Sequence, residues 1–258
     1  MARFNTTMVS SVLKRAVDLT IVIPSPTYPD VMMAERDGRK VSHKNEDKYP
    51  VLYLFHGFSG NHTSWTSYAR TEMFAEERKI AVVMISGENK AYADKENDLF
   101  YEFIQEELPE FIKGMFPVSH RVEDTYIAGL SMGGYGTYIH ALGNPEKYCA
   151  FGAFSAAVKS KHMNPDAEGS KYAPLKLIDE AHEKGIKLPK AYIACGAKDF
   201  LYEDNIELKD KMIKYGYDTT WVEHPDFGHE WRFWDMQIEA FLDWIPRTDA
   251  YKDIRTGV

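Results

Sequence analysis

Short runs of consecutive apolar residues recur along the chain, at 51–55, 80–85, 125–128, 148–154 and 191–195. A strand that is apolar at every position has both faces covered, as in a parallel sheet flanked by helices. Residues 17–24 alternate polar and apolar instead, which fits an early antiparallel strand with one face wet. Helical spacing of apolar residues marks 68–77, 99–115, 134–142, 203–214 and 231–244, and a further strand-like run at 219–222 precedes the last of these. Strand and helix patterns thus alternate through the chain. The predicted class is α/β, with a mostly parallel central sheet covered by helices on both faces.

Two stretches depart from the rhythm. Residues 37–49 are polar and charged and read as a loop. Residues 158–188 are polar and contain Pro165, Gly169, Pro174 and Gly185, with a short helical pattern at 175–183. We read 158–188 as an insertion over the sheet edge, and the pattern leaves open whether it is a lid or a surface excursion. At 258 residues, the expectation is a single domain spanning 1–258 and including this insertion.

Composition narrows the function class. With 44% hydrophobic and 27% charged residues the chain has the make-up of a folded globular protein. A net charge of -8 offers no basic footprint for nucleic acid and no attraction to an anionic membrane surface, so the expected partner is a small neutral or weakly polar molecule. Cys149 and Cys195 lie in apolar runs and read as buried free thiols. Neither a secretory pattern nor a run of roughly 18 apolar residues is present, and the expected location is cytoplasmic.

The chemistry concentrates at Gly129-Leu130-Ser131-Met132-Gly133, which lies between a strand pattern and a helix pattern. That is the setting of a G-x-S-x-G nucleophile elbow, where a sharp turn pushes the serine hydroxyl out and side chains two positions away would collide. A serine needs a base, and the base an orienting acid, in the chain order Ser, Asp or Glu, His. Of nine histidines, four precede Ser131 and do not fit that order; of the five that follow, His140 is too close along the helix after Ser131, and His162 and His182 precede any late acid. His224 and His229 remain, and His229 is preferred because it lies on the Asp226-Phe-Gly-His loop just before the final helix. Asp199 is the preferred acid, on the turn after the run at 191–195; Glu203 and Asp204 suit the start of the next helix. An oxyanion hole requires backbone N–H groups from the residue after the nucleophile, Met132, and from the loop after an early strand, where Phe58 in His56-Gly57-Phe58-Ser59-Gly60 is the best donor. His56 reads as a brace for that loop. No H-E-x-x-H or clustered Cys/His pattern occurs, so no metal and no cofactor are expected.

Taken together, His56-Gly57-Phe58-Ser59-Gly60 within 53–65 and the stretches at 103–109, 127–136, 195–202 and 228–231 resemble the tributyrin-esterase branch of the α/β-hydrolases. That branch includes S-formylglutathione hydrolases and, more distantly, bacterial acyl esterases and mycolyltransferases. The resemblance runs from about residue 49 to 246. It implies an α/β-hydrolase fold, a Ser131–His229–Asp199 triad, oxyanion donors at Phe58 and Met132, and hydrolysis of short-chain acyl esters, acetylated sugars among them. Feruloyl esters and an S-formylglutathione-type thioester are the alternatives within it, and a hydrolase-fold binding protein without catalysis is the reading of another class. Dimers or tetramers are also suggested. Trp65, Tyr92, Tyr202, Phe227 and Trp231 lie near the motifs and could line an acyl pocket or pack in the core. Activity is expected to fall on acidification as the base protonates, with a neutral to mildly alkaline optimum.

Overall fold

The computed structural model describes residues 1–44, 47–159 and 170–254. An eight-stranded sheet runs through the molecule in the order β1-β2-β4-β3-β5-β6-β7-β8. Its strands are β1 (Ala2–Ser10), β2 (Arg15–Ile23), β3 (Val51–Phe55), β4 (Ala81–Ile85), β5 (Thr125–Leu130), β6 (Ala150–Phe154), β7 (Lys190–Gly196) and β8 (Thr219–His224). β1 and β2 form an antiparallel hairpin, β2 pairs antiparallel with β4, and β3 to β8 all run parallel. The sequence pattern anticipates this arrangement of a mostly parallel sheet with one antiparallel early strand.

Helices cover both faces: α1 (Tyr28–Arg36), α2 (Ser64–Tyr68), α3 (Thr71–Glu77), α4 (Phe100–Glu102), α5 (Leu108–Met115), α6 (Met132–Gly143), α7 (Pro174–Glu183), α8 (Tyr202–Lys214) and α9 (Trp231–Trp244). Because side chains alternate across a strand, β3 divides its five buried residues between two cores. Val51, Tyr53 and Phe55 join the cluster formed with α4 to α8, while Leu52 and Leu54 join the cluster formed with α3 and α9.

Several elements differ from the sequence expectation, each for a physical reason. β1 is an edge strand whose residues are mostly solvent-facing, so Asn5-Thr6-Thr7 gives no apolar signal. α1 buries only Ala34 and is held by its start, where Thr27 and Asp30 form a capping box. The helix expected at 68–77 is broken at Ala69–Arg70, where α2 ends and α3 begins. The one expected at 99–115 passes through a π-turn at Phe103–Glu107. Pro109 has no N–H to offer the carbonyl of Gln105 four residues back, and Lys147 Nζ takes that carbonyl at 3.0 Å.

The described part of 158–188 lies in the connection from β6 to β7. β6 and β7 are parallel neighbours, so their connection is an ordinary crossover, and α7 seats Ile178 and Ala181 in the core. Residues 160–169, where the lid reading would apply, lie outside the described residues.

α6 approaches the end of β3 closely. A Cβ on Gly133 would stand 2.5 Å from the carbonyl oxygen of Phe55 and 2.6 Å from that of His56. Both obstacles are backbone, so Gly133→Ala should destabilise the protein by about 1–3 kcal/mol, lowering Tm by roughly 2–10 °C in a thermal melt. An unchanged Tm would mean that α6 can shift away from β3 freely.

Candidate active site

At the C-terminal end of β5 the chain turns sharply into α6, and Ser131 occupies the turn with φ 53° and ψ -115°. A non-glycine residue there is strained. Its backbone is pinned on three sides: Ser131 N–H donates to Phe154 O at 2.9 Å, and its carbonyl accepts from Tyr135 and Ala157 at 3.0 and 3.1 Å. The side chain is thereby fixed toward the ends of β7 and β8.

His229 comes from the loop between β8 and α9. Its Nε2 lies 3.0 Å from Ser131 Oγ and its Nδ1 2.9 Å from Asp199 Oδ2. With Nδ1–H donating to the carboxylate, Nε2 is left free to accept from the serine. Asp199 stands on the turn after β7, with its carboxylate fully buried. Burial pushes its pKa up, but hydrogen bonds from His229, the Leu201 N–H and Ser155 outweigh this and hold it below the usual carboxylate value. The acid turn and the base loop are joined by backbone, since Ala197 N–H donates to His224 O at 2.9 Å and Lys198 N–H to Phe227 O at 3.0 Å. His224, the other histidine left by the sequence, thus serves through its backbone at the end of β8.

Beside the serine, the N–H groups of Phe58 and Met132 have no acceptor among the described residues. The peptide carrying the Phe58 N–H is the one whose carbonyl belongs to Gly57, and His56 controls it. His56 Nδ1–H donates to Gly57 O at 2.6 Å, while its Nε2 accepts from the Gly87 N–H at 2.7 Å. Tyr92 O–H donates to His56 O at 2.9 Å, and Ser59 N–H to Asn89 Oδ1 at 2.6 Å. The bracing loop is itself strained, with Glu88, Asn89, Ala91 and Tyr92 all at positive φ.

A cleft of about 820 Å³ opens over Ser131 and His229. Its wall includes Phe58, Tyr68, Phe200, Trp231 and Trp234, and its polar lining includes Asn61, Thr63, Ser64, Ser67 and Glu230. Phe58, Tyr68 and Phe200 are 57%, 64% and 78% exposed at the mouth. Tyr68 stacks on Trp231 with ring centroids 5.1 Å apart. No Lys or Arg lines the cleft among the described residues.

The model of the family described as Putative esterase matches residues 39–244. The chain belongs to that esterase family. It is 29% identical over 228 residues to an acetyl esterase of Caldicellulosiruptor saccharolyticus, spanning 79% of this chain and 85% of that one. Among solved structures it is similar to substrate-bound FphF, a fluorophosphonate-binding serine hydrolase of Staphylococcus aureus, at 26% identity and a TM-score of 0.84 over 96% of this chain and 99% of that one. S-formylglutathione hydrolase FrmB from the same organism matches at 26% identity and a TM-score of 0.82, over 95% and 98% of the two chains. The protein is a carboxylic ester hydrolase with the α/β-hydrolase fold.

Of the aromatic residues considered for the pocket, Trp231 lines the esterase's cleft and four others do not. Trp65 is 1% exposed beneath it, donating its indole N–H to Phe55 O. Tyr92 is buried and stacked on Phe55 at 4.3 Å. Tyr202 turns away to donate to the Glu223 carboxylate, and Phe227 packs on Phe233. Aromatic type and proximity to a motif do not reveal which way a ring points. Tyr68, Phe200 and Trp234 line the cleft instead. Phe200 directly follows Asp199, and Trp234 lies one helical turn beyond Trp231, so adjacency to the acid and helical spacing were the available signals. The described residues contain no group of three or more His, Cys, Asp or Glu able to hold a metal ion. None of the described helices is long and apolar enough to cross a membrane.

Burial holds two histidines neutral behind the site. It lowers His56 to about 4 and His140 to about 3. His140 accepts from Gln105 Nε2 at 2.6 Å and donates to Tyr92 O at 2.8 Å. In the unfolded chain both protonate near the ordinary value of about 6.5. Between that pH and the folded-state values the unfolded chain binds more protons, so stability is complete above about pH 6.5 and declines as pH falls toward 4 and 3. Each histidine contributes up to about 1.4 kcal/mol per pH unit. Chemical denaturation of wild type and His56→Asn from pH 7.5 to 4.5 should show a shallower decline in the variant. Parallel curves would remove His56 from the account.

Proposed function

We propose that this esterase is a serine carboxylesterase that releases short acyl groups, acetyl to butyryl, from neutral alcohols such as partly acetylated sugars. Ser131 is the nucleophile, His229 the general base and then the general acid, and Asp199 the group that orients His229. The observation carrying this reading is the Ser131 Oγ, His229 Nε2, His229 Nδ1, Asp199 Oδ2 line, with links of 3.0 and 2.9 Å, beside the unengaged N–H groups of Phe58 and Met132.

In the first step His229 Nε2 takes the Ser131 proton while Oγ bonds to the ester carbonyl carbon. The carbonyl oxygen becomes an oxyanion and accepts from the Phe58 and Met132 N–H groups. Donors already aimed at the site of developing charge need no reorganisation during the reaction, which is why one such bond is worth roughly 3–4 kcal/mol. Collapse of this intermediate breaks the ester C–O bond, and the imidazolium delivers its proton to the departing alcohol. Water then attacks the acyl-serine as His229 takes its proton, and collapse breaks the acyl–Oγ bond while the imidazolium returns a proton to Ser131 Oγ, releasing the carboxylic acid.

Substrate class is argued from the lining. A glutathione thioester carries carboxylates, and the described wall offers no Lys or Arg while placing Glu230 in the cleft. Neutral oxygen esters are therefore favoured over that thioester. Aromatic acyl groups of the hydroxycinnamoyl type are the second reading, supported by the rings of Phe58, Tyr68, Phe200 and Trp231 around the mouth.

A panel of acetyl, butyryl, octanoyl and feruloyl esters with S-formylglutathione decides among these. The expected order of kcat/KM has acetyl and butyryl esters first and the thioester last; a feruloyl maximum would install the second reading. Ser131→Ala should abolish fluorophosphonate labelling and lower kcat by about 10⁴-fold or more. Retained labelling in that variant would remove Ser131 from the mechanism.

A further inference from the structure

A second set of contacts closes on His229 and Asp199. Ser155 follows β6 directly and is fully buried. It adopts φ 46°, and its N–H donates to Ala194 O at 2.8 Å. A serine in the left-handed region carries a backbone cost, and here that conformation places its hydroxyl between β6, β7 and α9.

Ser155 Oγ accepts the indole N–H of Trp234 at 3.1 Å. With that lone pair engaged, the hydroxyl proton needs an acceptor of its own. Ser155 is among the groups whose hydrogen bonding lowers the Asp199 carboxyl, and it also lowers the Cys195 thiol against the burial that raises it; an ionised carboxylate is much the stronger acceptor. Trp234 also stands edge-on to the His229 ring, with centroids 4.9 Å apart and planes at 85°. His229 thus meets Asp199 on one side and Trp234 on another, and Trp234 is bonded to Ser155, whose hydroxyl acts electrostatically on Asp199. The Leu201 N–H, 2.9 Å from Asp199 Oδ1, holds the carboxylate from a further direction.

We propose that Ser155 and Trp234 are positioning residues for the acid–base pair, fixing the plane of the Asp199 carboxylate and the face of the His229 ring while touching neither the nucleophile nor the reacting carbonyl. The inference rests on the reading of Ser131, His229 and Asp199 as the reacting set. Trp234 also forms part of the cleft wall, so one indole bounds the substrate space and holds the pair behind it.

If Ser155 merely satisfies a buried indole, its loss costs stability and leaves the chemistry of surviving molecules unchanged. A positioning role predicts more. Removing the hydroxyl takes a donor from the carboxylate, leaves its charge less dispersed, and strengthens its hold on the imidazolium. The acid limb of kcat/KM then moves to higher pH. The other titratable groups around the pair, Cys195, Glu230 and the exposed Lys198–Asp226 ion pair, are the same in every variant.

The test compares wild type, Ser155→Ala, Trp234→Phe and the double variant on one short acyl ester, recording kcat, KM, pH profile and Tm. Ser155→Ala is expected to lower kcat about tenfold with KM within about twofold and to shift the acid limb upward by about half a pH unit. Trp234→Phe keeps the ring against His229 but loses the donor, and should move the limb in the same direction by less. The double variant should match Ser155→Ala rather than sum the two losses, because both act through one hydroxyl. Should Ser155→Ala fold poorly, the low-field proton resonance of His229 Nδ1–H, compared between wild type and Trp234→Phe, tests the same coupling: a changed chemical shift supports it and an unchanged one opposes it. Unshifted pH limbs, with kcat losses that follow Tm alone, would overturn the proposal. His229→Ala separates the two levels: an inactive His229→Ala beside an unaltered Ser155→Ala defeats only the positioning role, whereas an active His229→Ala defeats the underlying reading.

Discussion

Much of the molecule is organised by the need to hold one serine in a backbone conformation it would not adopt alone. Ser131 at φ 53° costs of order 1–3 kcal/mol, and the bonds to Phe154, Tyr135 and Ala157 that offset it come from β6, α6 and the segment after β6. The turn also requires close approach: a Cβ on Gly129 would meet the Gly133 carbonyl group at 2.5 Å. A parallel sheet supplies the remaining groups from the same edge, because β3, β5, β7 and β8 all point their C-terminal ends one way. The Phe58 loop, Ser131, Asp199 and His229 each follow one of those ends.

Electrostatics divides the site into layers. The cleft wall combines aromatic rings with neutral polar groups and carries Glu230 but no Lys or Arg among the described residues. Behind it lies a buried polar layer in which His56 and His140 stay neutral because burial disfavours their charged forms. A neutral His56 can donate from one ring nitrogen and accept at the other, which is what joins the Gly57 and Gly87 peptides. An imidazolium would present two donors and could not accept from Gly87.

The fold and the cluster of Ser131, Asp199 and His229 were legible in the sequence for a shared reason: both leave residue types that few other environments demand. Runs such as 51–55 and 191–195 must be buried on both faces, and glycines at 129 and 133 are required by contacts of 2.5 Å. Asp199 and His229 could be chosen because their chain order and loop positions were constrained. The pocket was not legible in the same way. Trp65, Tyr92 and Trp231 are all aromatic residues near motifs, yet the first two face the core, and only the packing of α2, α9 and the loop before Tyr92 decides it. β1 and α1 escaped notice because they bury one side or a single residue. The π-turn depends on Lys147, far away in sequence, taking the role Pro109 cannot fill.

The left-handed residues behind the oxyanion loop also bear on how this chain can diverge. Glu88, Asn89, Ala91 and Tyr92 adopt conformations that β-branched side chains resist and glycine accepts readily. Tyr92 is further tied by its hydroxyl and its stacking on Phe55, so evolutionary drift there is narrow. Glu88 and Asn89 are freer to become glycine, at the cost of the Arg15 ion pair or the Ser59 hydrogen bond. Keeping the bulkier residues keeps a stiffer scaffold behind the Phe58 loop in exchange for local conformational strain.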